Sequence, residues 1–358
     1  MAKSAKQNII GILAAVGLAL VSLLVFPLYV TPLGFVWFVA LMFLKTKFGN
    51  APAFVGGVLL AAVVFLIFGN LPALFMLCVA VLPLIAASLA MRPGARVETI
   101  ALYIFVSMMA VIFGAIAIVS ATHGDVITLI VEYVRTSFAE VEAISPGLWD
   151  AYFELSGLDV TADEFIYNLI YDFEVLLRER LIGQIISYCV FASAFGILAA
   201  RRAALKSGEA EKYGLNFDLF KWVLPKYTGR MLIPSAAAFY MLSEVVPKLN
   251  LLSGAYALWS LAYSLFVLQG IVHLAFVMKA KGSGAGWRAT LITALFLVLM
   301  PALFVSGLMD RLVPFRRQMP GTAPAKGATL EEILKQLSGE EDDDNENNSN
   351  NDKNDDDE

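Results

Sequence analysis

Residues 51–69 read APAFVGGVLLAAVVFLIFG, a run of 19 residues without a single charged side chain. A helix of about 20 apolar residues crosses the hydrocarbon layer of a bilayer. In lipid the backbone must satisfy its own hydrogen bonds, which leaves helices and closed barrels as the choices. The apolar residues here are continuous rather than alternating, so this stretch predicts a transmembrane helix.

Eight further apolar runs flank this one. The chain is 59% hydrophobic and 16% charged, whereas soluble domains are about 45–50% apolar and about 25% charged. The sequence therefore predicts an all-α, polytopic transmembrane bundle of about eight or nine spans. In chain order the predicted spans are 8–30, 32–44, 51–69, 71–91, 99–121, 181–200, 231–247, 254–278 and 289–309. The second and seventh are short, and Pro301 makes a re-entrant last span an alternative.

The orientation follows from the lysines and arginines of the loops. With the N-terminus inside, sixteen of these bases lie on the cytoplasmic side up to Asp310 and four on the outer side. The bias predicts a multi-pass protein of a bacterial inner membrane with a cytoplasmic N-terminus. Nine spans would place the C-terminal tail outside, although Arg311, Arg316 and Arg317 are typical of an inside segment. The side of the tail therefore stays open.

Residues 122–180 form the largest insertion between spans. From His123 to Leu177 it carries eleven acidic residues and one base, Arg135. Apolar residues at helical spacing on either side of a Ser145–Gly147 turn predict a small acidic helical insertion on the extracytoplasmic face. Its second helix should run unbroken into the sixth span. The insertion is either a gate over a cavity or a solvated helical hairpin. In the inner loop, residues 216–225 predict a helix lying on the membrane surface.

The chain changes character after residue 310. We expect a linker over 311–328, a short amphipathic helix over 329–338 and a disordered acidic Asp/Asn tail over 339–358. Thr329 and Glu332 form a capping box, and the helix they begin is a candidate site for a partner protein. Residues 340–358 hold eleven acidic residues against one lysine, so the net charge of −5 reflects the tail and gives no indication of nucleic-acid binding.

The common catalytic motifs are missing. The sequence has no Gly-x-x-x-x-Gly-Lys-[Ser/Thr] loop, no His-Glu-x-x-His and no Gly-x-Ser-x-Gly. With two histidines in total, no His-rich metal site can form. We therefore expect no enzyme activity, no catalytic residues, no cofactor and no metal.

Polar residues within the spans are the remaining functional lead, because they are costly in lipid. In the eighth span Trp259, Tyr263, Phe266, Gly270 and His273 fall on one helical face, with Gln269 at its edge. The candidate solute-facing residues are Trp259, Tyr263, Gln269, Gly270 and His273. The alternative is a helix–helix seam in which these side chains hydrogen-bond between spans. Glu244 is a candidate coupling residue, or a residue of the membrane interface.

Three segments of the C-terminal third resemble the YybS-like family of bacterial membrane proteins. Asn216–Pro225 is similar to an aromatic, proline-ended loop of that family, and Leu268–His273 is similar to its Gln-Gly helical turn. Gly307–Asp310, followed by Phe315-Arg316, resembles its closing elements. The resemblance implies a multi-span protein of unknown function that is distantly similar in architecture to the substrate-binding S components of energy-coupling-factor transporters.

Two functions are the leading hypotheses. The first is a small-solute binding or transport subunit, and the polar face of the eighth span supports it. The second is a non-transport scaffold or regulator of the envelope, and the acidic insertion and the 329–338 helix support it. An intramembrane enzyme has the least support. The partners expected in these cases are the lipid bilayer, a small solute and a protein at the 329–338 helix.

Overall fold

The structure, a computed structural model, describes residues 5–25, 35–155, 161–224, 226–246 and 251–312. Within these ranges the regular secondary structure is entirely helical, which confirms the predicted all-α fold. The α-helices are α1 (Ala5–Leu24), α2 (Phe35–Phe48), α3 (Asn50–Phe68), α4 (Asn70–Ala90), α5 (Val97–His123), α6 (Val126–Ile144), α7 (Leu148–Leu155), α8 (Ala162–Ser207), α9 (Lys226–Val245), α10 (Leu252–Ala280), α11 (Ala285–Val298) and α12 (Met300–Leu312).

Six of the described helices are long and apolar enough to cross a membrane, namely α1, α3, α4, α5, α8 and α10. The chain is therefore a multi-pass membrane protein. The count is below the predicted eight or nine because the predicted second span corresponds to the short helix α2, and the predicted seventh span to α9, of which only Met231–Val245 is apolar. α2 has 14 residues, and at 1.5 Å per residue a helix of this length extends for about 21 Å in a hydrocarbon layer about 30 Å thick.

The last predicted span is broken. α11 and α12 pass the length and composition test only together, and they are bent by 112° at Leu299. Pro301 lies in the first turn of α12, where its missing N–H removes a hydrogen bond that a continuous helix would need. If the bent pair counts as one span, the total is seven. This geometry fits the alternative that the sequence analysis drew from Pro301.

Glycines divide the apolar stretch 35–90 into three helices. Gly49 separates α2 from α3 with φ of 111°, and Gly69 separates α3 from α4 with φ of 88°. A side chain would strain either conformation, whereas glycine adopts it readily. The chain thus reverses twice through single residues, and α3 packs against both α2 and α4.

The described residues fall into two compact units. The first comprises residues up to 218 together with 224–265, and the second comprises 219–223 together with the residues from 266 onward. In the first unit α2 packs against α8. The Phe35 ring stacks on the Phe195 ring with the centroids 5.7 Å apart. Gly196 lies so close to the Phe38 ring that a Cβ atom there would be 3.0 Å from it, so the missing side chain permits this helix contact.

The acidic insertion is helical, as predicted. α6 and α7 are joined by the turn at 145–147, and α8 runs unbroken for 46 residues from the insertion into the sixth predicted span. Thr161 caps α8 by accepting a hydrogen bond from the Glu164 backbone N–H. Asp125 caps α6 in the same manner and also pairs with Arg178 of α8 at 3.0 Å.

The predicted surface helix at 216–225 is wrong over the residues that are described. Only a single 3-10 turn forms, at Leu219–Lys221. Residues 215–218 have no regular secondary structure, and the Phe217 carbonyl accepts two hydrogen bonds from the Arg201 guanidinium, at 2.8 and 3.1 Å, in place of one from a helical amide. The predicted linker beyond residue 312, the 329–338 helix and the acidic tail lie outside the described residues.

Candidate functional site

The residues singled out by sequence lie in different parts of the fold. All five candidate solute-facing residues are on α10, but only Gln269, Gly270 and His273 belong to the second compact unit. Trp259 and Tyr263 belong to the first unit, where their ring centroids are 6.5 Å apart and Trp259 is 43% exposed. The candidate coupling residue Glu244 is exposed near the end of α9.

Gly270 is at the closest approach of α10 and α12. A Cβ atom on Gly270 would lie 1.8 Å from the Leu303 carbonyl oxygen, and one on Gly307 would lie 1.9 Å from the Phe266 carbonyl oxygen. Both obstacles are backbone atoms, which cannot move aside as a flexible side chain would. The two glycines therefore let the helix backbones touch, as small residues do in membrane helix pairs. Gly270 faces α12 and not an open cavity.

A polar cluster lies beside these glycines. Its members are Gln269, His273 and Asp310, and all three belong to the second unit. The Gln269 side-chain amide donates a hydrogen bond to Asp310 Oδ2. His273 Nδ1 lies 2.8 Å from Asp310 Oδ1. Gln269 is fully buried and Asp310 is 3% exposed, whereas the His273 side chain keeps 16% of its surface accessible.

α10 and α12 run parallel along this contact. The Phe266 ring meets the Phe304 ring with centroids 5.8 Å apart, Gly270 meets Gly307, and His273 meets Asp310. The contacting residue numbers thus rise together along both helices over about two turns. The ends of α10 and α12, Ala280 and Leu312, consequently lie toward the same side.

The cluster combines a carboxyl group, an imidazole and an amide, held by residues 37 and 41 positions apart in the chain. A carboxyl group and an imidazole in hydrogen-bond contact can pass a proton between them. Burying these groups is costly unless each charge and each hydrogen-bond donor has a partner. The Gln269 amide and the His273 ring are the partners of Asp310. Among the described residues no group of three His, Cys, Asp or Glu side chains could hold a metal ion.

No family model matches the chain, and no curated protein or solved structure matches it either. The resemblance to YybS-like proteins therefore stays a prediction.

Asp310 is the residue that the sequence analysis did not single out. The predicted last span ends at 309, one residue before this carboxyl group. A signal was nonetheless present in the spacing. His273 follows Gly270 by three residues, and Asp310 follows Gly307 by three residues. In parallel helices that touch at their glycines, equal offsets bring the two polar side chains to the same level.

Proposed function

We propose that the chain is a subunit that binds and transports a small solute across a bacterial cytoplasmic membrane, with Asp310 and His273 exchanging a proton during the cycle. The buried contact of Asp310 with Gln269 and His273 carries this proposal. Ionisable side chains inside membrane helices are rare because they are costly, and they mark ion and substrate pathways where they do occur.

The break between α11 and α12 supports the same function. Transporter sites are often built at discontinuous helices, where interrupted backbone lines a binding cavity. Here one arm of a pair bent by 112° supplies Asp310. Because His273 is the only partly exposed member of the cluster, protons would reach Asp310 through its ring.

The parallel course of α10 and α12 supports a specific topology for this region. With the N-terminus inside, Lys279, Lys281 and Arg288 lie on the cytoplasmic side. α11 then enters the membrane from that side and α12 returns to it, as a re-entrant pair. The arms of 14 and 13 residues extend for about 21 and 20 Å, so neither crosses alone. In this topology Arg311 lies on the cytoplasmic side with the other basic residues. The span count and the basic residues after the last span then agree on a cytoplasmic tail.

Reporter fusions test this topology. We expect green fluorescent protein fused after Arg317 to fluoresce and alkaline phosphatase at the same place to be inactive, because the tail is cytoplasmic. The same two reporters inserted after Lys281, in the loop between α10 and α11, should give the same pattern, because a re-entrant pair begins and ends on one side of the membrane. Active phosphatase after Arg317 would overturn the re-entrant pair.

Transport itself can be tested in vesicles that contain the purified full-length chain. The probe is the low-molecular-weight fraction of a bacterial cell extract, offered under an imposed pH gradient and analysed by mass spectrometry after filtration. We expect at least one solute to accumulate relative to protein-free vesicles. The transport proposal would be contradicted if accumulation equalled that in protein-free vesicles for both directions of the pH gradient.

Two histidine variants separate a role in proton exchange from general damage. His273→Gln should lose gradient-driven accumulation, because it removes the imidazole beside Asp310. His123→Gln is the matched control, since the chain has two histidines and His123 is exposed at the end of α5. Glu244→Gln tests the earlier candidate, and we expect it to retain accumulation because Glu244 is exposed.

A further inference from the structure

A cavity of about 160 Å³ opens where α2, α3 and α4 meet in the first unit. Its polar lining consists of Lys45 from the last turn of α2, Asn50 from the first turn of α3 and Ser88 from α4. Its apolar lining includes Phe54, Ile85 and Leu89. The cluster of Gln269, His273 and Asp310 belongs to the second unit, so this cavity has no part in the proposed transport site.

Lys45 is the unusual member of this cavity. Its side chain is buried, with 5% of the residue exposed. Within the described part of the chain, its ammonium makes one side-chain hydrogen bond, to the Met91 sulfur at 3.3 Å. A thioether is a weak acceptor that carries no charge. A buried ammonium ordinarily needs an anionic partner to offset its lost hydration.

The start of α3 adds a second preference for an anion at the same place. The residue before the helix is Gly49, which has no side chain to cap the first backbone N–H groups. Asn50 and Ala53, both in the first turn, line the cavity. Uncapped N–H groups and the helix dipole favour negative charge at a helix N-terminus. Two independent features therefore converge on an anionic group beside Lys45.

The remaining surface indicates what the anion is attached to. Phe54, Ile85 and Leu89 line the cavity and are also exposed on the outside of the helices, by 41, 40 and 69%. On membrane-crossing helices such side chains face acyl chains. A free inorganic anion would cover the polar end and leave these apolar residues without contacts. A lipid would cover both.

We propose that this cavity binds an anionic phospholipid, with Lys45 and the N-terminus of α3 holding its phosphate and with Phe54, Ile85 and Leu89 contacting its acyl chains. The site lies at the last turn of α2, which also holds Lys47. Basic residues at a membrane surface attract anionic lipids, so the charge of this helix end favours the ligand.

The binding test uses the full-length chain, purified in a neutral detergent and stripped of lipid. Thermal unfolding is followed during titration with phosphatidylglycerol, with phosphatidylcholine of identical acyl chains, or with inorganic phosphate. We expect phosphatidylglycerol to stabilise the protein at concentrations about tenfold lower than phosphatidylcholine, because the choline cation repels Lys45. Inorganic phosphate should have no effect at equal concentrations. Equal potency of the two lipids would overturn the proposal, and stabilisation by inorganic phosphate would assign the site to a free anion.

Variants then locate the effect. Lys45→Met keeps an unbranched side chain, one atom shorter, without the charge, and we expect it to bind phosphatidylglycerol about tenfold more weakly, as for loss of one charge-assisted hydrogen bond. Lys45→Arg should retain the preference for the anionic lipid. Lys47→Met is the matched control, because Lys47 is exposed two residues further on and stacks over the Phe43 and Phe48 rings. Wild-type selectivity in Lys45→Met, or its loss in Lys47→Met, would contradict the assignment.

Discussion

The carboxyl groups of Asp125 and Asp310 make similar contacts in different surroundings. Asp125 caps α6 in the acidic insertion, where it accepts from the Thr128 hydroxyl at 2.9 Å and pairs with Arg178 at 3.0 Å while half of its side chain stays in water. Asp310 is almost fully buried between α10 and α12, where Gln269 and His273 are its partners.

The difference lies in what each carboxyl group would lose without its partners. Water replaces the partners of Asp125 at little cost, because exposed ion pairs contribute about 0–1 kcal/mol. Nothing comparable replaces the partners of Asp310, because a buried polar group left without a hydrogen bond costs about 1–3 kcal/mol. The exposed contact therefore contributes less to stability than the buried one. The buried contact makes the packing of two helices depend on the protonation of Asp310.

The largest expected effect comes from separating the helices that bury Asp310. Gly307→Ala places a Cβ atom against the Phe266 carbonyl oxygen, and the two helices must move apart. We expect a loss of about 3 kcal/mol in the free energy of unfolding in mixed detergent micelles, the upper part of the usual range for overpacking.

Gly114→Ala is the matched control for this variant. A Cβ atom on Gly114, within α5, would meet nothing within 4 Å. Its effect should stay within about 1 kcal/mol and favour the folded state, since alanine is the better helix former. If Gly307→Ala unfolds like the wild type, the close approach of α10 and α12 is wrong.

Removing each carboxyl group compares the two sites directly. Asp310→Ala leaves the buried Gln269 amide and the His273 ring without their acceptor, and we expect a loss of about 2 kcal/mol. Asp125→Ala removes an exposed helix cap, which costs about 1 kcal/mol. Urea or detergent titrations of both variants measure the difference. A larger loss for Asp125→Ala would reverse the comparison.

The smallest effect is the dependence of α6 on pH. The hydrogen bond from the Thr128 hydroxyl, followed by those from the Ile127 N–H and the Arg178 guanidinium, lowers the pKa of Asp125 below its ordinary value. A lowered pKa stabilises the fold above the ordinary carboxyl pKa, and this stabilisation is lost as the pH falls through the lowered value.

Backbone amide shifts of Ile127 and Leu129 should report this transition below about pH 4. We expect the effect on stability to be less than about 0.5 kcal/mol, because the group is exposed. Asp125→Asn should abolish the transition. Its persistence in that variant would assign it to another acidic residue of the insertion.

Features that depend on local sequence could be predicted. The continuous apolar runs predicted all six described helices that are long and apolar enough to cross a membrane, and the Ser145–Gly147 turn was predicted from its residue types. The failure at 216–225 has a physical cause. The Arg201 side chain, 16 residues away, bonds the Phe217 carbonyl, and no local pattern reports such a contact.

The candidate site could be predicted only in part. Helical spacing placed Gln269, Gly270 and His273 together on α10, because that relation depends on the helix repeat alone. Their contact with Asp310 depends on the break at Leu299, which turns α12 to run parallel to α10. Pro301 indicated where a break was possible, but the direction of the chain after it is set by the packing of Gly270 on Gly307.

The most direct test compares the two aspartates in the transport assay. Vesicles containing Asp310→Asn or Asp125→Asn are offered the same cell-extract fraction under the same pH gradient as the wild type. We predict that Asp310→Asn loses gradient-driven accumulation, because an amide cannot exchange a proton with His273, while Asp125→Asn accumulates the solute like the wild type. Wild-type accumulation by Asp310→Asn would contradict the account.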